Sequence, residues 1–144
     1  MPPHPHIPAF TPVIPKNQTV NALRWIIRIS DLAALGLGLA FWNGTRYSLV
    51  SAHQGLGFLV AGALLLMAVL GSGRRVSPGL MVLALLWGLA APALGSLQGR
   101  LLPGDGHWII EVVHLLLGFG AIALSEVIAR RALGTRPPTT SRMS

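Results

Sequence analysis

The sequence predicts an all-α integral membrane protein: a four-helix bundle running up-down-up-down, with both termini cytoplasmic. Three observations carry that expectation. Only 10% of the 144 residues are charged and 52% are hydrophobic, whereas about 25% of a soluble domain is charged. Four apolar stretches alternate with short polar connections, and each is close to the roughly 20 residues of helix that cross a bilayer core. The basic residues are sorted between the two sides of that alternation. Lys16, Arg24, Arg28, Arg74, Arg75, Arg130, Arg131, Arg136 and Arg142 fall on one side, and Arg46 and Arg100 on the other. The richer side is the cytoplasmic one, as in other membrane proteins.

Residues 1–19 hold six prolines together with His4 and His6. They read as a proline-rich cytoplasmic tail. They lack the basic start and apolar core of a signal peptide. His4 and His6 are metal-capable side chains, but the composition is that of a solvated arm.

Residues 20–133 hold the bundle. The first span runs from about Leu23 to Trp42 and begins amphipathically. Arg28 and Asp31 stand three apart, where they can pair on one helix face. The second span runs from about Ser48 to Leu70. The third runs from about Pro78 to Leu97, with Pro78 in the first turn, where no amide donor is lost. Pro92 inside it predicts a kink. The fourth runs from about His107 to Arg130, and Glu126 can pair with Arg130 at i+4. Short connections make sequential helices neighbours. Trp42, Tyr47 and Trp108 mark the outer interface, and Trp25 the inner one. Residues 134–144 read as a mobile cytoplasmic tail.

The chain has no cysteine, which excludes disulfides, thiolate metal clusters and covalent haem attachment through cysteine. Its net charge is +7. That excess flanks apolar runs and is not interleaved with aromatic side chains, so it does not describe a nucleic-acid surface. No nucleophile–base pair for hydrolysis is recognisable. The spans also lack the paired broken helices of many transporters.

One pattern occurs twice. His53-Gln-Gly-Leu-Gly57-Phe58 and His114-Leu-Leu-Leu-Gly118-Phe119 both read His-x-x-x-Gly-Phe. Ionisable groups inside membrane spans are expensive and mark functional sites by default. His53 lies about five residues into the second helix and His114 about seven into the fourth. At 1.5 Å per residue their depths differ by only about 3 Å. Diagonal helices of such a bundle are about 11–14 Å apart, which lets two imidazoles approach one metal from both sides. Gly57 and Gly118 share the faces of their histidines and leave room for a flat macrocycle. The other reading of these glycines is close helix packing, and Gly57-x-x-x-Ala61 is such a small-residue pattern by itself.

His107, Glu111 and His114 share one face of the fourth helix. Glu111 and His107 are suited to take a proton or to meet a quinol hydroxyl. They equally suit a solvated interfacial pair. Glu111-Val-Val-His114 also spells the Glu-x-x-His of di-iron bundles. That chemistry needs a second copy and further carboxylates, which helices two and three do not contain.

With His53, Gly57, His114 and Gly118 so placed, residues 23–131 resemble small bacterial four-helix membrane b-type cytochromes. The resemblance implies that His53 and His114 are axial ligands of haem b, passing electrons between quinol and a partner. The chain departs from the larger members, which hold a second haem. No histidine lies in the inner half of its spans. The expected function is therefore that of an electron-transfer subunit in the bacterial inner membrane, with one bis-histidine haem near the outer face. The alternative is a non-catalytic subunit of a larger respiratory or photosynthetic membrane complex, binding bacteriochlorophyll or no cofactor.

Overall fold

The computed structural model describes residues 16–72 and 76–134, and in them the chain is four long helices. These are α1 (Lys16–Trp42), α2 (Val50–Gly71), α3 (Pro78–Leu97) and α4 (His107–Leu133). Each is long and apolar enough to cross a membrane. The all-α class expected from composition is therefore observed. His4, His6 and residues 135–144 lie outside the described residues.

Two boundaries differ from the expected spans. α1 begins at Lys16, so residues 16–19 form a first helical turn although the sequence reads as tail there. Val20, Leu23 and Ile27 are buried behind that turn, and their packing extends the helix beyond its purely apolar part. α4 runs to Leu133 and stops at Gly134, whose φ of 70° is the left-handed conformation that glycine adopts at a helix end.

The last carbonyls of α1 are capped by side chains of the next turn. Asn43 Nδ2 donates to Leu39 O, Thr45 Oγ1 to Ala40 O and Tyr47 Oη to Phe41 O, at 3.0, 2.8 and 3.1 Å. Tyr47 also stacks on Phe41. These bonds satisfy acceptors that a helix end leaves open, and they fix where α2 begins. Ser77 caps α3 by accepting from Leu80 N, with Pro78 in the first turn as predicted. α3 continues through Pro92 to Leu97. Proline has no N–H to give the Gly88 carbonyl, one turn earlier.

α1 packs on α2 and α4, α3 packs on the same two, and α2 also touches α4. The bundle is unevenly filled. Its packed half joins the start of α1, the end of α2, the start of α3 and the end of α4. Leu64, Met67 and Ile128 are fully buried there, among Ile27, Ala68 and Ala84. Trp87 of α3 reaches across to donate Nε1–H to Leu117 O of α4 at 2.8 Å. The other half is open around a cavity. Large apolar side chains such as Ile29, Leu86 and Leu116 point outward, as lipid contact requires.

The charge pairing differs from that expected along single helices. Glu126 of α4 is held by α1 instead. Arg24 contacts it through Nε at 2.8 Å and Nη2 at 2.7 Å, and Arg28 through Nη2 at 2.6 Å. Arg130 donates to the Glu126 carbonyl oxygen. With Arg28 drawn to α4, the expected Arg28–Asp31 pair does not form. A bidentate guanidinium–carboxylate contact across helices is stronger than a single-helix ion pair on a surface.

Candidate functional site

The cavity has a volume of about 520 Å³, within the roughly 300–1,000 Å³ usual for cofactor and ligand pockets. It lies where the ends of α1 and α3 meet the starts of α2 and α4. All six residues singled out from the sequence line it: His53, Gly57, His107, Glu111, His114 and Gly118.

His53 and His114 approach each other within it. Their ring centroids are 6.0 Å apart and their planes inclined at 61°. His53 Nδ1 lies 2.9 Å from Ala34 O of α1. A carbonyl only accepts, so Nδ1 carries the hydrogen and the lone pair of the neutral ring is on Nε2. The Phe41 ring meets His53 at 76°, centroids 5.4 Å apart. His53 is thereby braced by α1 on two sides. His114 is less complete: its Nδ1 is buried and has no hydrogen-bond partner among the described residues.

The glycines divide between the two readings made of them. A Cβ on Gly57 would meet nothing within 4 Å, so Gly57 opens space in the cavity and is no packing contact. A Cβ on Gly118 would stand 3.0 Å from Leu35 Cδ2 and 3.2 Å from Asp31 Oδ1. Gly118 instead lets α4 come close to α1. Two glycines missed in the sequence abut the histidines directly. A Cβ on Gly95 would lie 2.9 Å from His114 Cε1, and one on Gly38 3.6 Å from His53 Cε1. No local pattern marks them, because the rings they meet belong to other helices.

His107 donates Nδ1–H to Leu101 O at 3.1 Å. That bond ties the start of α4 to the preceding connection. No ion pair joins His107 to Glu111 among the described residues, and both line the cavity.

Asp31 is the residue the sequence misplaced. It is only 5% exposed, it lines the cavity, and its Oδ2 has no hydrogen-bond partner among the described residues. The signal was present: Asp31, Ala34 and Gly38 stand at i, i+3 and i+7 and share a face. Ala34 and Gly38 both meet His53.

Among the described residues, no group of three or more His, Asp or Glu side chains is gathered to hold a metal ion. The chain matches no protein-family model, no curated protein and no solved structure.

Proposed function

We propose that the chain is a membrane electron-transfer subunit holding one haem b between His53 and His114. The observation that carries this reading is the approach of two imidazoles from different helices to 6.0 Å inside a largely apolar cavity. Metal–imidazole bonds of about 2.0–2.1 Å put two opposed ring nitrogens about 4 Å apart around one ion. Rings at the observed spacing reach that separation by turning a nitrogen toward each other. His53 and His114 would together hold a haem iron, whereas a bare ion asks for more ligands.

The residues fit the group in three further ways. His53 gives Nδ1–H to a backbone carbonyl, the arrangement that orients metal-bound histidines and leaves Nε2 free. The Nδ1 of His114 has no partner among the described residues, so its ring has bonding capacity left for a ligand. Gly57 keeps the wall beside His53 open. Bound there, haem b supplies a one-electron couple whose potential is set by burial and nearby charge. Glu111 and His107 offer a carboxylate and an imidazole to a quinol hydroxyl.

In this reading the bundle runs up-down-up-down in a bacterial inner membrane, with both termini cytoplasmic and the cavity near the outer face. Lys16, Arg24, Arg28, Arg130 and Arg131 on the opposite half support that sidedness. A second reading is a non-catalytic subunit of a larger membrane complex, with one histidine ligating bacteriochlorophyll or with no cofactor. The outward face of α3 favours it: Val82, Leu85, Leu86 and Leu89 are all exposed and suit a neighbouring subunit as well as lipid.

The test is a reduced-minus-oxidised spectrum of the purified protein beside His53→Ala and His114→Ala. The wild type is expected to show an alpha band that both variants lose. His53→Asn separates structure from ligation, since its amide can still donate to Ala34 O while the ring nitrogen is gone. It is expected to fold and to lack the band. A variant that keeps the wild-type band removes its residue from the pair.

A further inference from the structure

We infer that the cavity is a site for an organic cation, a protonated amine on an apolar body, with Asp31 as its counter-charge. The juxtaposition that points to it is a buried carboxylate with no hydrogen-bond partner for its Oδ2 among the described residues, in a cavity lined by two acids and by no lysine or arginine described.

The charges are unevenly spent. The chain has eleven basic residues and four acids. Two of the four acids, Asp31 and Glu111, line this one cavity. No lysine or arginine lines it among the described residues. The bases nearest Asp31 along α1 are Arg28 and Arg24, and both are held by Glu126. The other titratable groups on the cavity wall are His53, His107 and His114 from α2 and α4, together with Tyr47.

Buried charges are normally paired, because an isolated carboxylate loses its hydration without compensation. Asp31 Oδ2 has less than 1 Å² exposed and no hydrogen bond among the described residues. A ligand ammonium supplies both missing terms, since it carries the opposite charge and donates N–H. The walls suit the rest of such a ligand. Phe41, Trp42, Tyr47 and Phe58 line the cavity, and aromatic faces attract cations. Gly118 brings α4 within 3.2 Å of Asp31 Oδ1 at the position of its absent Cβ. A larger residue there would crowd the carboxylate.

The inference goes beyond the haem reading and does not rest on it. The core of an oxidised bis-imidazole haem carries one net positive charge, so the same carboxylate suits either occupant.

The test is calorimetric titration of the purified full-length chain in detergent, freed of haem where its spectrum shows any, with 2-phenylethylammonium. The controls are 2-phenylethanol, which has the same body and a neutral donor, and phenylacetate, which is anionic. Saturable binding of the ammonium is expected, with neither control competing. Asp31→Asn should weaken it by roughly tenfold or more, as losing one member of a buried charge pair does. Asp31→Glu should retain it. Absence of saturable ammonium binding overturns the inference. So does equal competition by the alcohol or the carboxylate, and that comparison needs no variant to fold. Undiminished binding by a folded Asp31→Asn overturns it too. Haem and the ammonium would fill one cavity, so the ammonium is expected to bind haem-free protein and added haem to displace it; a missing alpha band leaves ammonium binding untouched, and indifferent ligands on haem-free protein leave the haem reading untouched.

Discussion

The indole of Trp87 occupies the space that a side chain on Gly120 would need. A Cβ there would clash with Cζ2, Cε2 and Nε1 of the ring, while the ring nitrogen bonds Leu117 O. Overpacking a core typically costs about 1–3 kcal/mol, and the better helix propensity of alanine returns about 1 kcal/mol. The hydrogen bond adds about 1 kcal/mol if it breaks. Gly120→Ala is therefore expected to lower stability by about 1–3 kcal/mol. Denaturant unfolding in detergent measures this. Trp87→Phe in the Gly120→Ala background should relieve part of the loss, giving a double-mutant coupling between the two positions.

Glu126 joins α1 to α4 through two arginines at a site that is mostly shielded, its side chain 13% exposed. Hydrogen bonds to charged groups contribute about 1.5–3 kcal/mol, and partial exposure of the arginines reduces that through solvent screening. Glu126→Ala is expected to destabilise by about 1–2 kcal/mol. Glu126→Gln, which keeps one acceptor, should cost less. Equal unfolding midpoints for wild type and Glu126→Ala would show that the cluster contributes nothing to the fold.

Gly57 and Gly95 both line the cavity, but their substitutions should act oppositely. Gly57→Ala places a methyl group in open space and removes backbone freedom from a helix interior, a gain of about 0.5–1 kcal/mol. Its unfolding midpoint should rise. If Gly57 packs a helix, the midpoint falls. Gly95→Ala pushes on the His114 ring, which must turn to make room. Its main effect should be on whatever His114 binds, read as a shifted or lost absorption band with the fold retained by circular dichroism.

Sidedness is accessible because the chain has no cysteine. Asn17 lies in the first turn of α1 and Gln98 follows α3, at opposite ends of the bundle. In right-side-out vesicles, Gln98→Cys is expected to react with an impermeant maleimide and Asn17→Cys only after lysis. The reverse labelling pattern would invert the proposed orientation.

Several features were legible in the residues alone. The low charged fraction and the four apolar stretches led to four membrane-type helices, and Pro78 took the first-turn position its chemistry requires. The repeated His-x-x-x-Gly-Phe pattern singled out two imidazoles that share one cavity. Those signals are local: composition, length, spacing along a helix and depth from a helix start. They hold whatever each helix packs against.

Only the tertiary structure decided which face of each helix turns inward. α2 and α4 separate polar from apolar faces only weakly, and such helices carry little periodic signal to fix their rotation. That rotation gave Arg28 to Glu126 rather than to Asp31, left Asp31 in the cavity wall, and set Gly95 and Gly38 against the histidines. It also made Gly118 a contact and Gly57 a space, although the two occupy the same place in the repeat. Contacts between helices depend on two rotations at once, and no spacing within one helix encodes the other.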